Sequence, residues 1–215
     1  MQMHKLQYAI VKKVNVTLDR DLDKLMLGTM LPNLTKYEHN LSHFRNDKSV
    51  ICDINAFYNK YAAFMNDDVL LGYFMHLLID NFFKDFMNRE ILTFDDDGNV
   101  TGYIFNGVKK QSNLENVKKL VKQDYQLYGI YLMNNGLIDR YSSDECVKDV
   151  KVLDECKVDS DILYDTIIEH NLDIEKNKKK KFINRFKQYK VLPREMYEDL
   201  INKCVDYICS IVKAG

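Results

Sequence analysis

The stretch GYFMHLLIDNFF, Gly72 to Phe83, is almost wholly apolar, yet it carries His76 and Asp80 four positions apart. On a helix that spacing returns both side chains to one face, with about 6 Å of rise between them. An imidazole and a carboxylate so placed either pair with each other, as i, i+4 partners do, or converge on one metal ion. Imidazole nitrogen and carboxylate oxygen are donors suited to zinc or another divalent transition metal. Upstream, KYEHNLSHF repeats the four-residue interval with His39 and His43, and His4 stands near the N-terminus. Four of the five histidines thus precede position 77, in segments expected to pack on the helix that holds His76. Inward-pointing ligands from several helices are a recurrent way to build a metal site in a helical bundle.

The elements that must position these residues read as helices. Met3 to Val14 places Leu6, Ile10 and Val14 on one face, and Asp19 to Met30 forms a second helix that GTMLPN is expected to end. Asp53 to Asn66 carries Ile54, Phe57, Tyr58, Tyr61 and Phe64 at helical spacing. A long helix capped by Asn66 or Asp67 and running to about Ile91 is apolar nearly all round, which marks it as the central one. Leu92 to Phe94 and Thr101 to Phe105 flank an Asp-Gly turn and predict a β-hairpin. The DDDG there matches half of a calcium loop, but its glycine comes early and no glutamate closes it, so a polar turn is favoured. Asn113 to Leu137, Asp159 to His170 and Pro193 to Lys213 return to helix, the last with Met196, Leu200, Cys204, Tyr207 and Ile211 as its buried stripe. The lysine run EKNKKKKF reads as a solvated helix start or loop rather than a phosphate-binding patch.

These 215 residues, 46% of them apolar with two prolines and eight glycines, predict one all-α domain over residues 1–215, a multi-helix bundle with a small hairpin insertion near 92–105. A net charge of -1 offers no nucleic-acid or membrane surface. Ionisable residues inside the apolar run from Val69 to Met87 argue against a membrane span. Five cysteines, Cys52, Cys146, Cys156, Cys204 and Cys209, form no CxxC pair and read as reduced thiols. The N-terminal residues lack the apolar core of a signal peptide, so the expected location is cytoplasmic. No glycine-rich phosphate loop and no G-x-S-x-G elbow occurs, which disfavours nucleotide-binding α/β folds and α/β-hydrolases. The adjacent His-Asp dipeptide of HD-type phosphohydrolases is also missing.

The segments LGTMLPN, SHF and LLGYFMHLLIDNFF, in that order, resemble the zinc-dependent phospholipase C family, which includes single-strand nuclease relatives. The G-Y-x-x-H-x-x-x-D segment carries most of the resemblance, and LVKQDYQLYGIYLMNNGLI is similar to a helix of smaller bacterial members. The resemblance implies an all-helical fold, one or two zinc ions between helices, and hydrolysis of a small phosphoester by metal-activated water. It implies His43, His76 and Asp80 as metal ligands, Asp80 also in the catalytic centre, with His4 as a further ligand. Asn33 stands where the family places a bridging aspartate, and would orient water or phosphate. Asp124 is a candidate replacement ligand, against the alternative of an ordinary aspartate on an amphipathic helix. No His-x-x-x-Glu pair follows, and His170 with Asp173 is the nearest substitute. The alternative function is a non-catalytic relative acting as a metal-binding or interaction module.

Overall fold

The computed structural model describes residues 3–35, 39–46, 51–142, 153–179 and 188–212. The chain is mostly helical, with one small antiparallel sheet. Helices α1 (His4–Leu18), α2 (Leu22–Leu34), α3 (His39–Ser42), α4 (Ile54–Tyr61) and α5 (Asp68–Phe86) precede the sheet; a π-helical turn (Met87–Ile91) leads into it. Strands β1 (Leu92–Phe94), β2 (Val100–Phe105) and β3 (Val108–Gln111) follow, then α6 (Leu114–Asn134), α7 (Ser160–Lys179) and α8 (Arg194–Val212). Among the described residues no helix is long and apolar enough to cross a membrane.

Helix starts follow local chemistry. Asp21, Asp53, Asp67 and Asn113 are N-caps whose side chains accept from backbone N–H groups in the first turns of α2, α4, α5 and α6. Each satisfies a donor that the helix itself leaves unpaired. The core is built around α2 and α5. In α2, every residue from Leu25 to Pro32 is buried, as is every residue from Val69 to Ile79 in α5. An all-round apolar helix has to be wrapped by others, and α1, α4 and α8 pack against this pair.

Two glycines set how near α2 and α5 come. A Cβ on Gly28 would lie 2.0 Å from the Val69 carbonyl oxygen, and one on Gly72 would lie 2.0 Å from that of Leu25. The two backbones touch, and only a residue without a side chain fits at either point.

Several elements differ from the sequence expectation: α7, expected to end at His170, runs to Lys179, and α4, expected to reach Asn66, ends at Tyr61 with a 3-10 turn after it. Helix α2 does not end at GTMLPN but runs through Pro32 to Leu34. Pro32 has no N–H to return to the Gly28 carbonyl, so one rung of the ladder is lost two residues before the helix ends. The hairpin is a three-stranded sheet in the order β1-β2-β3; β3 is exposed along its whole length and carries no apolar alternation to announce it. The buried stripe of α8 is centred about one residue away, on Tyr197, Leu200, Ile201, Cys204 and Ile208, while Met196, Tyr207 and Ile211 are half-buried. The DDDG segment is a polar turn: Asp95 Oδ1 accepts from the backbone N–H groups of Asp97 and Asn99, and Gly98 takes φ 82°. The lysine run begins in the last turns of α7 and extends past Lys179 to residues outside the described ones, as Cys146 also is.

Gly72→Ala is expected to lower unfolding stability by about 3 kcal/mol through overpacking against backbone that cannot step aside. Urea denaturation monitored by circular dichroism measures it, and a neutral result would mean the helices do not touch here.

Candidate metal centre

His76 and Asp80 come from successive turns of α5, and His43 comes from the residue just after α3. Their donor atoms lie within 4.8 Å of one another, the one such group of three among the described residues. The Nε2 atoms of His43 and His76 are 3.2 Å apart. Asp80 Oδ2 lies 3.8 Å from His43 Nε2, and Asp80 Oδ1 lies 3.9 Å from His76 Nε2. A four-coordinate ion with bonds of about 2.0–2.1 Å sets its donors about 3.3 Å apart. The histidine pair is already at that separation, and the carboxylate needs only a small rotation.

The tautomers are fixed from outside. His76 Nδ1 lies 2.7 Å from the Thr29 carbonyl oxygen, and His43 Nδ1 lies 2.9 Å from that of His39. A carbonyl only accepts, so both Nδ1 atoms carry their protons. Both Nε2 atoms then present lone pairs, and they present them to each other across 3.2 Å. With nothing between them this arrangement is repulsive. Binding one imidazole nitrogen to a backbone carbonyl so that the other faces a cation is the usual outer-shell device of metal sites. Gln7 of α1 brings its carboxamide to 3.0 Å from His76 Nδ1. It is the amide nitrogen, Nε2, that lies there; the single Nδ1–H is directed to the nearer Thr29 carbonyl, which can only accept. Ser42 Oγ, 3.0 Å from His43 Nδ1, donates to the Pro32 carbonyl, which ties α3 to α2.

A proton is a poor occupant of the gap. Both rings are fully buried. Burial, with the neighbouring His76, His39 and Arg45, pushes the His43 pKa down to about 2, and burial also lowers that of His76. The carboxylate is balanced on its outer side, where Arg45 Nη2 donates to Asp80 Oδ2 at 3.0 Å and Lys84 Nζ lies 4.0 Å from the same oxygen. Burial holds the Lys84 pKa below its ordinary value. Arg45 Nε is buried with no hydrogen-bond partner among the described residues. The His39 ring stacks on His43 at 3.7 Å and 10°.

The other sequence candidates are placed elsewhere. Asn33 is exposed in the last turn of α2, and no hydrogen bond among the described residues ties it to the cluster. His4 is buried, but it faces His170, with ring centroids 5.2 Å apart at 74°, rather than joining the three converging donors. His170 donates its Nε2–H to the Asp139 carbonyl at 3.0 Å and lies against Tyr8, while Asp173 pairs with Lys5. Asp124 is not the surface residue considered above: it is fully buried. Its two oxygens accept from the backbone N–H groups of Lys190, Val191 and Leu192 at 2.7–2.9 Å, fixing the segment that leads into α8. That work engages both carboxylate oxygens away from the cluster. Conversely, Arg45 and Lys84 were missed from sequence, although Lys84 stands at Asp80 plus four and Arg45 two residues beyond His43. The Thr29 and His39 carbonyls are backbone groups with no side-chain signal.

No family model matches the chain, and no curated protein or solved structure matches it.

Two outcomes follow from this geometry. Asp124→Asn should cost about 2 kcal/mol of stability, since the amide meets three donors with one acceptor oxygen, while metal affinity is unchanged; a lost metal would make Asp124 a ligand after all. The second concerns acid. His43 and His76 have folded pKa values below the unfolded value of 6.5. Their neutral forms therefore stabilise the fold fully above pH 6.5, and that contribution drains away as the pH falls towards their folded pKa values. For chelator-treated protein, stability should drop by up to about 1.4 kcal/mol per pH unit per buried ring below that point. Urea midpoints at pH 8, 6 and 5 measure the slope, and His43→Gln should flatten it.

Proposed function

We propose that this chain is a metal-dependent phosphoester hydrolase, with a single divalent transition metal, zinc foremost, held by His43, His76 and Asp80. The observation that carries the metal is the pair of Nε2 lone pairs aimed at each other at 3.2 Å, with a carboxylate beside them. Two nitrogens and one carboxylate form the three-ligand set that leaves coordination positions for water and substrate. When bound, such an ion supplies Lewis acidity and a water acidified towards neutral pH.

The chain's own side chains favour a phosphoryl group over a neutral ester. Arg45 sets a full cation against the carboxylate of Asp80, so a divalent ion leaves the site positive and in need of an anion. The Arg45 guanidinium has an Nε–H with no hydrogen-bond partner among the described residues and the planar fork that suits phosphoryl oxygens. In this reading Asp80 serves as ligand and holds Arg45 in place, while Arg45 and Lys84 draw charge away from the phosphoryl oxygens. The resemblance to zinc-dependent phospholipases C points the same way, and a small phosphoester is the substrate it suggests. Asn33, exposed on α2, is given no part.

A second reading has its own support. His43 and His76 are fully buried and Asp80 is largely so, which suits a metal that holds α3 to α5 without turning over substrate. The two readings separate in one experiment. The purified chain should bind one equivalent of zinc, and His76→Ala should weaken it at least about 100-fold, as loss of a ligand does. If the loaded protein hydrolyses bis-p-nitrophenyl phosphate and Arg45→Ala lowers kcat at least about tenfold, the enzyme reading holds. Tight metal with no turnover would leave the structural one. A chain that binds no zinc, iron or manganese would end both.

A further inference from the structure

The Arg45 side chain is nine-tenths buried beside the three converging donors, though it is not itself a metal-ligating type. A guanidinium held out of water needs a counter-charge and partners for its N–H groups. Asp80 is the one carboxylate in ion-pair range of it among the described residues. Nη2 donates to Asp80 Oδ2 at 3.0 Å and reaches the Cys52 sulfur at 3.7 Å. Burial raises the pKa of the Cys52 thiol, so the sulfur brings no charge of its own. Nη1 lies 3.4 Å from Nδ1 of His39, whose ring stacks on His43. Nε is buried with no hydrogen-bond partner among the described residues. One residue thus supplies the whole counter-charge, and the guanidinium keeps a donor to spare.

That residue is also a donor of the candidate centre, and its single charge cannot balance Arg45 and a divalent ion at once. With no metal bound, Arg45 and Asp80 neutralise each other, and an approaching oxyanion meets a carboxylate at the same guanidinium. A metal that engages Asp80 draws on the carboxylate charge and leaves Arg45 a buried cation short of an anion. Its planar fork, with the spare Nε–H, is the group that suits the oxygens of a phosphoryl anion. We propose that Arg45 forms an oxyanion subsite that Asp80 keeps closed until a metal is bound. This rests on the metal site proposed above and adds to it an order of binding, with the metal first and the phosphate-like anion second. Coupling between two binding events is reciprocal. The oxyanion therefore tightens the metal by the same factor as the metal tightens the oxyanion.

The test is the zinc affinity of the full chain, read in a chelator buffer with saturating inorganic phosphate or with perchlorate at equal ionic strength. Phosphate should tighten zinc about 5- to 150-fold, the usual range of coupling between sites. Calorimetric titration of phosphate should show the same factor between zinc-loaded and zinc-free chain. Arg45→Gln should bind zinc more tightly than the parent chain in perchlorate, because Asp80 is released to the metal. Its gain from phosphate should fall below about twofold. A merely damaged fold would weaken zinc in both buffers, and circular dichroism checks that the variant is folded. Arg45→Lys, which keeps the charge but loses the fork, should retain only part of the gain. Zinc that binds but ignores phosphate, a gain that survives Arg45→Gln, or weaker zinc in that variant without phosphate overturns the subsite and leaves the metal centre standing. A chain that binds no zinc overturns both.

Discussion

Helices α2 and α5 meet backbone to backbone at Gly28 and Gly72, and the candidate centre depends on that approach. Thr29, the residue after Gly28, lends its carbonyl to His76, which is one turn along α5 from Gly72. A side chain at either glycine would hold the helices apart, and the 2.7 Å bond that sets the His76 tautomer would be stretched first. The packing of the core and the chemistry of the site are therefore one constraint. The proline four residues beyond Gly28 extends it, since the Pro32 carbonyl receives Ser42 Oγ and so positions the neighbouring His43. In this way α2, which supplies no donor to the cluster, orients both histidines that do.

The electrostatics are layered around the same point. Nearest the gap are two neutral rings whose burial opposes protonation. Asp80 lies beside them, and beyond it Arg45 and Lys84 bind the carboxylate from outside. A carboxylate drawn towards an arginine is a weaker donor to a metal than a lone one, because its charge is shared. If a metal is held as proposed, the arrangement gives up some of its affinity for positive potential beside it. That trade suits an anionic substrate better than a purely structural ion, for which the arginine would only weaken the hold.

Legibility in the sequence follows how local each feature is. His76 and Asp80 are readable because one helix fixes their relation through its period, and both do converge with His43. The cap at Asp67 is local in the same sense. Asp124 shows the limit: its position on α6 suggests an amphipathic surface, but its partners are three backbone N–H groups some 66–68 residues later in the chain. His4 was legible as an inward-facing histidine, yet its neighbour His170 lies on α7, which no spacing announces. The end of α2 was misread because Gly28 looks like a helix stop. Its purpose is tertiary, to admit the backbone of α5, and a glycine used for close approach is indistinguishable by composition from one used to end a helix.

The two buried histidine pairs of the chain differ in what surrounds them. His4 with His170 and His43 with His76 have nearly the same mutual geometry, with centroids 5.2 and 5.1 Å apart and interplanar angles of 74° and 70°. What separates them is their company. Around His170 lie Tyr8 and Tyr141, and the nearby Asp173 carboxylate is taken up by Lys5 at 2.8 Å. Around His76 lies Asp80, an anion that can share the charge of an ion. Two imidazoles alone offer a divalent cation no neutralisation in a medium where an unbalanced charge is costly; adding one carboxylate changes that. Asp80 thus decides the nature of the site, while the histidines decide its position.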